Sequence, residues 1–227
     1  MRTAADSSPD TAGQSARREF ARRHANRRAK AKQRYGALGA LITDLTADPL
    51  TIEAWQRGAG GELATARELA SQLRRSDVIV LHDRRIPGRG RANIDHITIG
   101  PGGITVIDTK SSRGNVSIAT VGVINPREQL LVNRRDRTGY LDALERQIEA
   151  VGQALVQHGY GEIGLRGALC FPFMRRPLLH YSHAREGLIT VDDARHVAKV
   201  ADRSGDLSAD DIEQLADTVA SLFPAAV

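Results

Sequence analysis

The stretch NIDHITIGPGGITVIDTK, residues 93–110, constrains the chain more than any other. Apolar residues alternate with others on both sides of GPGG, the pattern of two half-buried strands joined by a turn. With residues 100–103 as a four-residue loop, Ile99 faces Ile104, Ile97 faces Val106, Asp95 faces Asp108 and Asn93 faces Lys110. Side chains alternate between the faces of a strand, so Asp95, Asp108 and Lys110 share the face of Ile97, Ile99, Ile104 and Val106. That face is apolar beside the turn and ends in two acids and a lysine. Directly opposed residues have Cβ atoms about 5 Å apart, where two carboxylates repel by roughly 3 kcal/mol at an effective dielectric near 20. A shared proton or a cation between them relieves this, and Lys110 supplies only one positive charge. Oxygen donors of this kind suit Mg²⁺ or Mn²⁺, which needs one or two protein carboxylates and keeps its waters. The plainer reading of each residue taken singly is a strand end facing water.

The elements around the hairpin predict a mixed sheet flanked by helices. ELATARELASQL has helical spacing, with Leu63, Ala66, Leu69, Ala70 and Leu73 on one face. Before it, residues 48–62 read as a helical turn or two, and GAGG as a flexible entry that lets Glu62 begin the helix. DVIVLHD (77–83) reads as a buried strand, and RRIPGRGRA (84–92) as a basic loop. Short strands are expected at 115–123 and 128–133. A long helix follows over 139–159, with Leu141, Leu144, Ile148, Val151 and Leu155 in phase. Strands at 166–172 and 187–191 and helices at 192–201 and 208–223 complete the chain. Ser208 is placed as an N-cap, with Asp211 in the capping-box position.

The charge is unevenly placed. The net charge is +5, yet residues 1–36 carry ten Lys/Arg against Asp6, Asp10 and Glu19, hence +7, which leaves −2 for the remainder. Residues 1–36 are read as a basic arm, disordered or helical, whose arginine pairs spread around a helix and leave no apolar face to bury. Such an arm suits a phosphate backbone, an anionic membrane surface or simple solubilisation. Residues 37–57 are read as a linker or docking segment. Aromatic residues make up 4% of the chain, so its core must come from aliphatic side chains. A single cysteine, Cys170, excludes an internal disulfide and a cysteine metal cage. No run approaches the roughly 20 apolar residues of a membrane helix. The expectation is a soluble, cytoplasmic protein.

GAGGELATARELASQL, VIVLHD and NIDHITIGPGGITVIDTKSSRGNV together resemble the nuclease-related domain, a family assigned to the PD-(D/E)xK nuclease superfamily. The likeness is close over 58–120 and looser to about 160. It implies a restriction-endonuclease-like α/β fold, with a nuclease-like core over 58–165 and the strands and helices of 166–227 completing it. It also implies roles. Glu62 corresponds to the acid of the first helix, Asp95 to the first strand aspartate, Asp108 and Lys110 to the (D/E)xK pair, and Gln147 to a glutamine that recurs on the long helix. Here Asp108 stands where many members have Glu, and Ile94 stands at the Pro of the superfamily's name. The implied activity is hydrolysis of nucleic-acid phosphodiesters, DNA before RNA, with Glu62, Asp95 and Asp108 holding Mg²⁺ or Mn²⁺. The alternatives are a non-catalytic nucleic-acid-binding module of the same fold, or a regulatory protein whose arm binds a membrane or a partner.

The remaining candidates are weaker. Arg84, Arg85, Arg89 and Arg91 before the hairpin, and Arg113 after it, are candidate phosphate contacts; Arg134, Arg135 and Arg137 are similar. His96 points away from Asp95 and is read as a packing residue. His180 and His183 are not read as ligands because no acid lies in phase with them. Cys170, in an apolar strand, is read as core. GAGG has no Lys-Ser/Thr behind it and is not a P-loop.

Overall fold

The computed structural model describes residues 49–88, 92–122, 126–175 and 183–226. The basic arm, most of the expected linker, Arg89, Arg91 and His180 lie outside the described residues. The elements run α1 (Pro49–Gln72), β1 (Ile79–Arg85), β2 (Asn93–Gly100), β3 (Gly103–Thr109), β4 (Gly114–Val121), β5 (Arg127–Val132), β6 (Arg135–Asp136), α2 (Gly139–Gln157), β7 (Leu165–Cys170), β8 (Met174–Arg175), β9 (His183–Ala184), β10 (Ile189–Asp192), α3 (Ala194–Ala201) and α4 (Ala209–Leu222).

Six strands form one sheet in the order β1-β2-β3-β7-β10-β9, and β6-β5-β4-β8 form a smaller one. In the large sheet β1, β2 and β3 are antiparallel, while β3, β7 and β10 run parallel. The fold is thus a mixed α/β architecture of the restriction-endonuclease-like kind. β3 lies at the centre and every one of its residues is buried. Its β-branched sequence, Ile-Thr-Val-Ile, suits a strand covered on both faces.

One face of the large sheet packs on α2 and α4. Leu141, Leu144, Ile148, Val151 and Leu155 of α2 are all buried, and they join Ile97, Ile99, Ile104 and Val106 in one apolar cluster with Ile212, Leu215 and Val219 of α4. α2 sits close because Gly167 of β7 has no side chain: a Cβ there would fall 2.6 Å from Ile148 Cδ1. The other face packs on α1 and α3, where Leu69, Leu73, Val197 and Ala201 cover Ile107, Ala168 and Cys170. α4 begins as its sequence predicts, with Ser208 and Asp211 exchanging both capping-box hydrogen bonds.

Three local features differ from the sequence reading. The helix expected to begin at Glu62 starts instead at Pro49 and runs unbroken through Gly58, Gly60 and Gly61. GAGG is therefore not a flexible entry. Packing accounts for Gly61, because a Cβ there would lie 2.8 Å from Ser111 Cβ. The hairpin keeps the expected register, but Gly100 and Gly103 are themselves paired, so the turn holds two residues rather than four. Gly103 takes φ +102°, which a side chain rarely adopts, and its Cβ would strike the Gly164 carbonyl oxygen. Finally, Arg84 and Arg85 belong to β1 rather than to the basic loop.

His82 and His96 face each other across β1 and β2, with Nδ1 atoms 2.8 Å apart and rings edge-on. Burial, then the Arg84 charge, lowers the His82 pKa from 6.5 to about 4. Burial, then His82, holds His96 well below its ordinary value. The folded protein thus refuses protons that the unfolded chain accepts. Stability should fall as the pH drops from 6.5 toward 4, by roughly 3 kcal/mol for His82 at 1.36 kcal/mol per pKa unit. Urea denaturation across that range checks this, and the slope should flatten in a His82→Leu/His96→Leu double variant.

Candidate metal and nucleic-acid site

The ladder between β2 and β3 stops at His96–Ile107, one residue short of the Asp95–Asp108 pair. From there β3 stays with β7, pairing Asp108 with Leu169 and Thr109 with Cys170, and Lys110 donates its N–H to the Cys170 carbonyl at 2.8 Å. β2 is left to diverge. Its lost pairing is replaced by a side chain: Asp95 Oδ2 accepts the Thr109 N–H at 2.7 Å, a donor that an unbroken antiparallel ladder gives to the β2 main chain. Asp95 thereby holds the two strands together at the point where they part.

Lys110 answers Asp108. Its Nζ donates to Asp108 Oδ1 at 2.9 Å and lies 2.8 Å from Oδ2 as an ion-pair contact. Oδ2 is buried, and the ammonium is what answers its charge. Nζ also stands over the Tyr140 ring, 4.9 Å from its centroid. Burial by itself lowers the Lys110 pKa, but the Asp108 carboxylate, with help from Asp95 and Tyr140, outweighs it and holds the lysine above its ordinary value. Lys110 stays charged.

Glu62 enters from α1. The Gly61–Ser111 approach lays that helix against the residue after Lys110. One turn further on, Thr65 accepts from the Thr109 hydroxyl at 3.3 Å and meets Cys170 Sγ at 3.4 Å, fixing the helix to β3 and β7. The result is electrostatic crowding. Burial, then the charges of Glu62 and Asp108, push the Asp95 carboxyl well above the ordinary carboxylate range, against the pull of Lys110 and the Thr109 N–H. Asp95 therefore feels two other carboxylates at this end of the sheet, with one lysine among them.

Gln147 lies seven residues after Tyr140 on α2, hence on the same side of the helix. Its side-chain carbonyl oxygen is buried with no hydrogen-bond partner. An amide oxygen enclosed without a donor costs about 1–3 kcal/mol unless something binds it. This is the feature sequence spacing could not supply, since 39 positions separate Asp108 from Gln147.

The expected arginines and Cys170 take other places. Arg84 is 1% exposed and donates to the Phe223 carbonyl at 3.4 Å, so it presents nothing to a phosphate in solvent. Arg85 is exposed on β1. Arg113 is exposed, its guanidinium 5.1 Å from the Phe173 ring centroid. Cys170 is fully buried, and burial pushes its thiol up to about 12. It is a core residue.

Sequence reasoning missed one group. Asp192, Asp193 and His196 bring a ligand atom each to within 4.8 Å of one another, the one such trio among the described residues and a possible acidic metal site. Asp193 caps α3 by accepting the His196 N–H at 2.9 Å, and the His196 ring lies 3.0 Å from the same oxygen. The signal was Asp-Asp-Ala-Arg-His at a helix start, which reads equally well as a plain N-cap.

With this geometry in view, the comparison with known proteins is direct. The family model of the nuclease-related domain matches residues 57–172, half the chain, and the protein belongs to that family. The match spans Glu62, the hairpin and Gln147. No curated protein and no solved structure matches the chain.

One substitution tests the packing that delivers Glu62. In a free helix Gly→Ala stabilises by about 1 kcal/mol. Gly61→Ala should instead lower the melting temperature, because the new methyl meets Ser111 Cβ at 2.8 Å. Thermal denaturation followed by circular dichroism decides it.

Proposed function

We propose that the protein is a metal-dependent nuclease that hydrolyses phosphodiester bonds, of DNA before RNA. The observation that carries this reading is the convergence of Glu62, Asp95 and Asp108 with Lys110 where β2 and β3 part. One buried oxygen supports it, Gln147 Oε1, which has no hydrogen-bond donor. An all-oxygen donor set with excess negative charge fits a hard divalent cation, Mg²⁺ or Mn²⁺. Asp95 and Asp108 would hold it, with Glu62 reaching it directly or through water. When bound, the ion supplies charge neutralisation at the phosphate and a more acidic water.

The chain's own residues carry the rest. Lys110, kept charged by Asp108, orients the attacking water or stabilises charge on the phosphate oxygens. Tyr140 holds the ammonium over its ring and limits its rotamers. Gln147 supplies a buried acceptor that no protein donor uses. Asp95 would have two duties, since the oxygen bound to Thr109 N–H fixes the carboxyl group and the group would also help hold the cation. The basic arm of residues 1–36 and the arginines Arg85, Arg89, Arg91 and Arg113 would hold the phosphate backbone. The family name, nuclease-related domain, agrees with a nucleic-acid substrate.

Labelled single- and double-stranded DNA and RNA, incubated with Mg²⁺, Mn²⁺ or EDTA, test the activity. Cutting should require the metal and fall by at least about 10²–10³-fold in Asp108→Ala, the scale on which one preorganised electrostatic group acts. Metal-dependent cutting that survives in Asp108→Ala would sink the assignment; intact binding without cutting would make the domain a binding module.

Metal binding has its own readout. A divalent ion at 100 times its dissociation constant should stabilise the fold by about 2.7 kcal/mol. Because Asp95 holds its proton to unusually high pH, the ion must displace that proton, and the stabilisation should grow as the pH rises. Thermal shift with and without Mn²⁺ across pH measures it, with no shift expected in Asp108→Ala.

A further inference from the structure

A second cavity lies away from the hairpin acids, at the other edge of the sheet. It runs along β10 beneath α3, with a volume of about 670 Å³. Its wall carries Arg166, Lys199 and Arg203 against one carboxylate, Asp192. That carboxylate is engaged: Asp192 Oδ1 accepts the Asp193 N–H at 2.8 Å and lies 3.8 Å from His196 Nδ1. Arg166, Lys199 and Arg203 form no ion pair among the described residues. Three cations thus line a concave surface with a net excess of positive charge.

The fold places two of them firmly. Arg166 donates to the Gly102 carbonyl in the hairpin turn at 3.1 Å. The backbone of Arg203 closes on the same turn, so a Cβ on Gly102 would meet the Arg203 carbonyl at 2.9 Å. Gly205 is pressed still closer, its Cβ position clashing with the Pro101 carbonyl. Burial and then the Arg203 charge lower the Arg166 pKa, so the two cations lie within electrostatic reach. Three cations lining one cavity without an ion pair make a site prepared for an anion. The guanidinium fork and the ammonium together match phosphate oxygens. The cavity is much larger than a phosphate and falls in the usual range for small organic ligands. Leu165, Leu188 and Val200 give it an apolar side, and His183 and His196 line it too.

We propose that this cavity binds the terminal phosphate monoester of a nucleoside phosphate, with the phosphate on Arg166, Lys199 and Arg203 and the base on the apolar wall. Two sources carry that chemistry, a free mononucleotide and the 5′-phosphorylated end of a strand. The site does not depend on the proposed cleavage and should work in a protein that cannot cut.

Calorimetric titration of the full chain carrying Asp108→Ala tests it, so a failure of the nuclease reading leaves the result unaffected. The probes are adenosine monophosphate, adenosine, and a short oligonucleotide with a 5′-phosphate or a 5′-hydroxyl. The monophosphate should bind and adenosine should not. Lys199→Ala and Arg203→Ala, both at exposed positions, should each weaken binding about tenfold or more, as expected for a lost charge-assisted contact. Preference for the 5′-phosphorylated oligonucleotide over its 5′-hydroxyl form assigns the site to a strand end; binding of the mononucleotide alone assigns it to a free nucleotide. Equal binding of both oligonucleotides with no uptake of the mononucleotide, or affinities unchanged in both variants, would overturn the proposal.

Discussion

The site depends on one hydrogen bond, from the Thr109 N–H to the Asp95 carboxylate. A β-hairpin ordinarily satisfies its backbone from end to end. Here β3 must leave β2 to pair in parallel with β7, and the backbone donor it exposes has to be satisfied. A carboxylate does so more strongly than a carbonyl. The same act draws Asp95 toward Asp108 and Glu62, where its charge is costly. Structural satisfaction of the main chain and electrostatic strain of the site are therefore one event, and the strain is of the sign that a cation removes.

The surrounding packing keeps that strain from relaxing. β3 is buried along its whole length, so Asp108 cannot swing into solvent without unseating the central strand. α1 is locked by Gly61 against Ser111 and by Thr65 against Thr109 and Cys170. α2 is seated by Gly167 and brings Tyr140 over Lys110. Farther away, Arg185 of the β9–β10 connection pairs with Asp142 at 2.5 Å and with Glu145 at 3.1 Å on α2, and takes Glu128 of β5 on its N–H. These contacts tie the small sheet, the long helix and the edge of the large sheet together. The charged end of the hairpin is held by rigid elements rather than by loops, which is what a preorganised site requires.

The large sheet also separates two kinds of electrostatics. Asp95 and Asp108 sit on the face covered by α2 and α4, whereas Arg166 and Asp192 fall on the face covered by α1 and α3. Thr109 and Asp192 lie in one row across β3, β7 and β10, both opposite Cys170, so they are about 10 Å apart. The hairpin acids and Arg166 thus lie on opposite faces of one sheet.

Much of this was legible in the sequence because it is local. Strand alternation gave the register of the hairpin, since a slip of one residue would have exposed every isoleucine. Helical spacing gave all five buried positions of α2. Ser208 announced α4. Asp95, Asp108 and Lys110 were marked by breaking an apolar pattern, and their common face followed from the pleat alone. What the sequence could not decide was whatever depends on a second element. The burial of Arg84 comes from α4 and the C-terminal bridge to Ala225 closing over β1. The close seat of α1 at Gly61 comes from docking on Ser111. The Asp192–Asp193–His196 group and the cavity beside it join residues of β7, β10 and α3 that share no periodicity. Local backbone geometry repeats with a fixed period and so writes itself into the chain; contacts between elements have no period, and only the tertiary structure decides them.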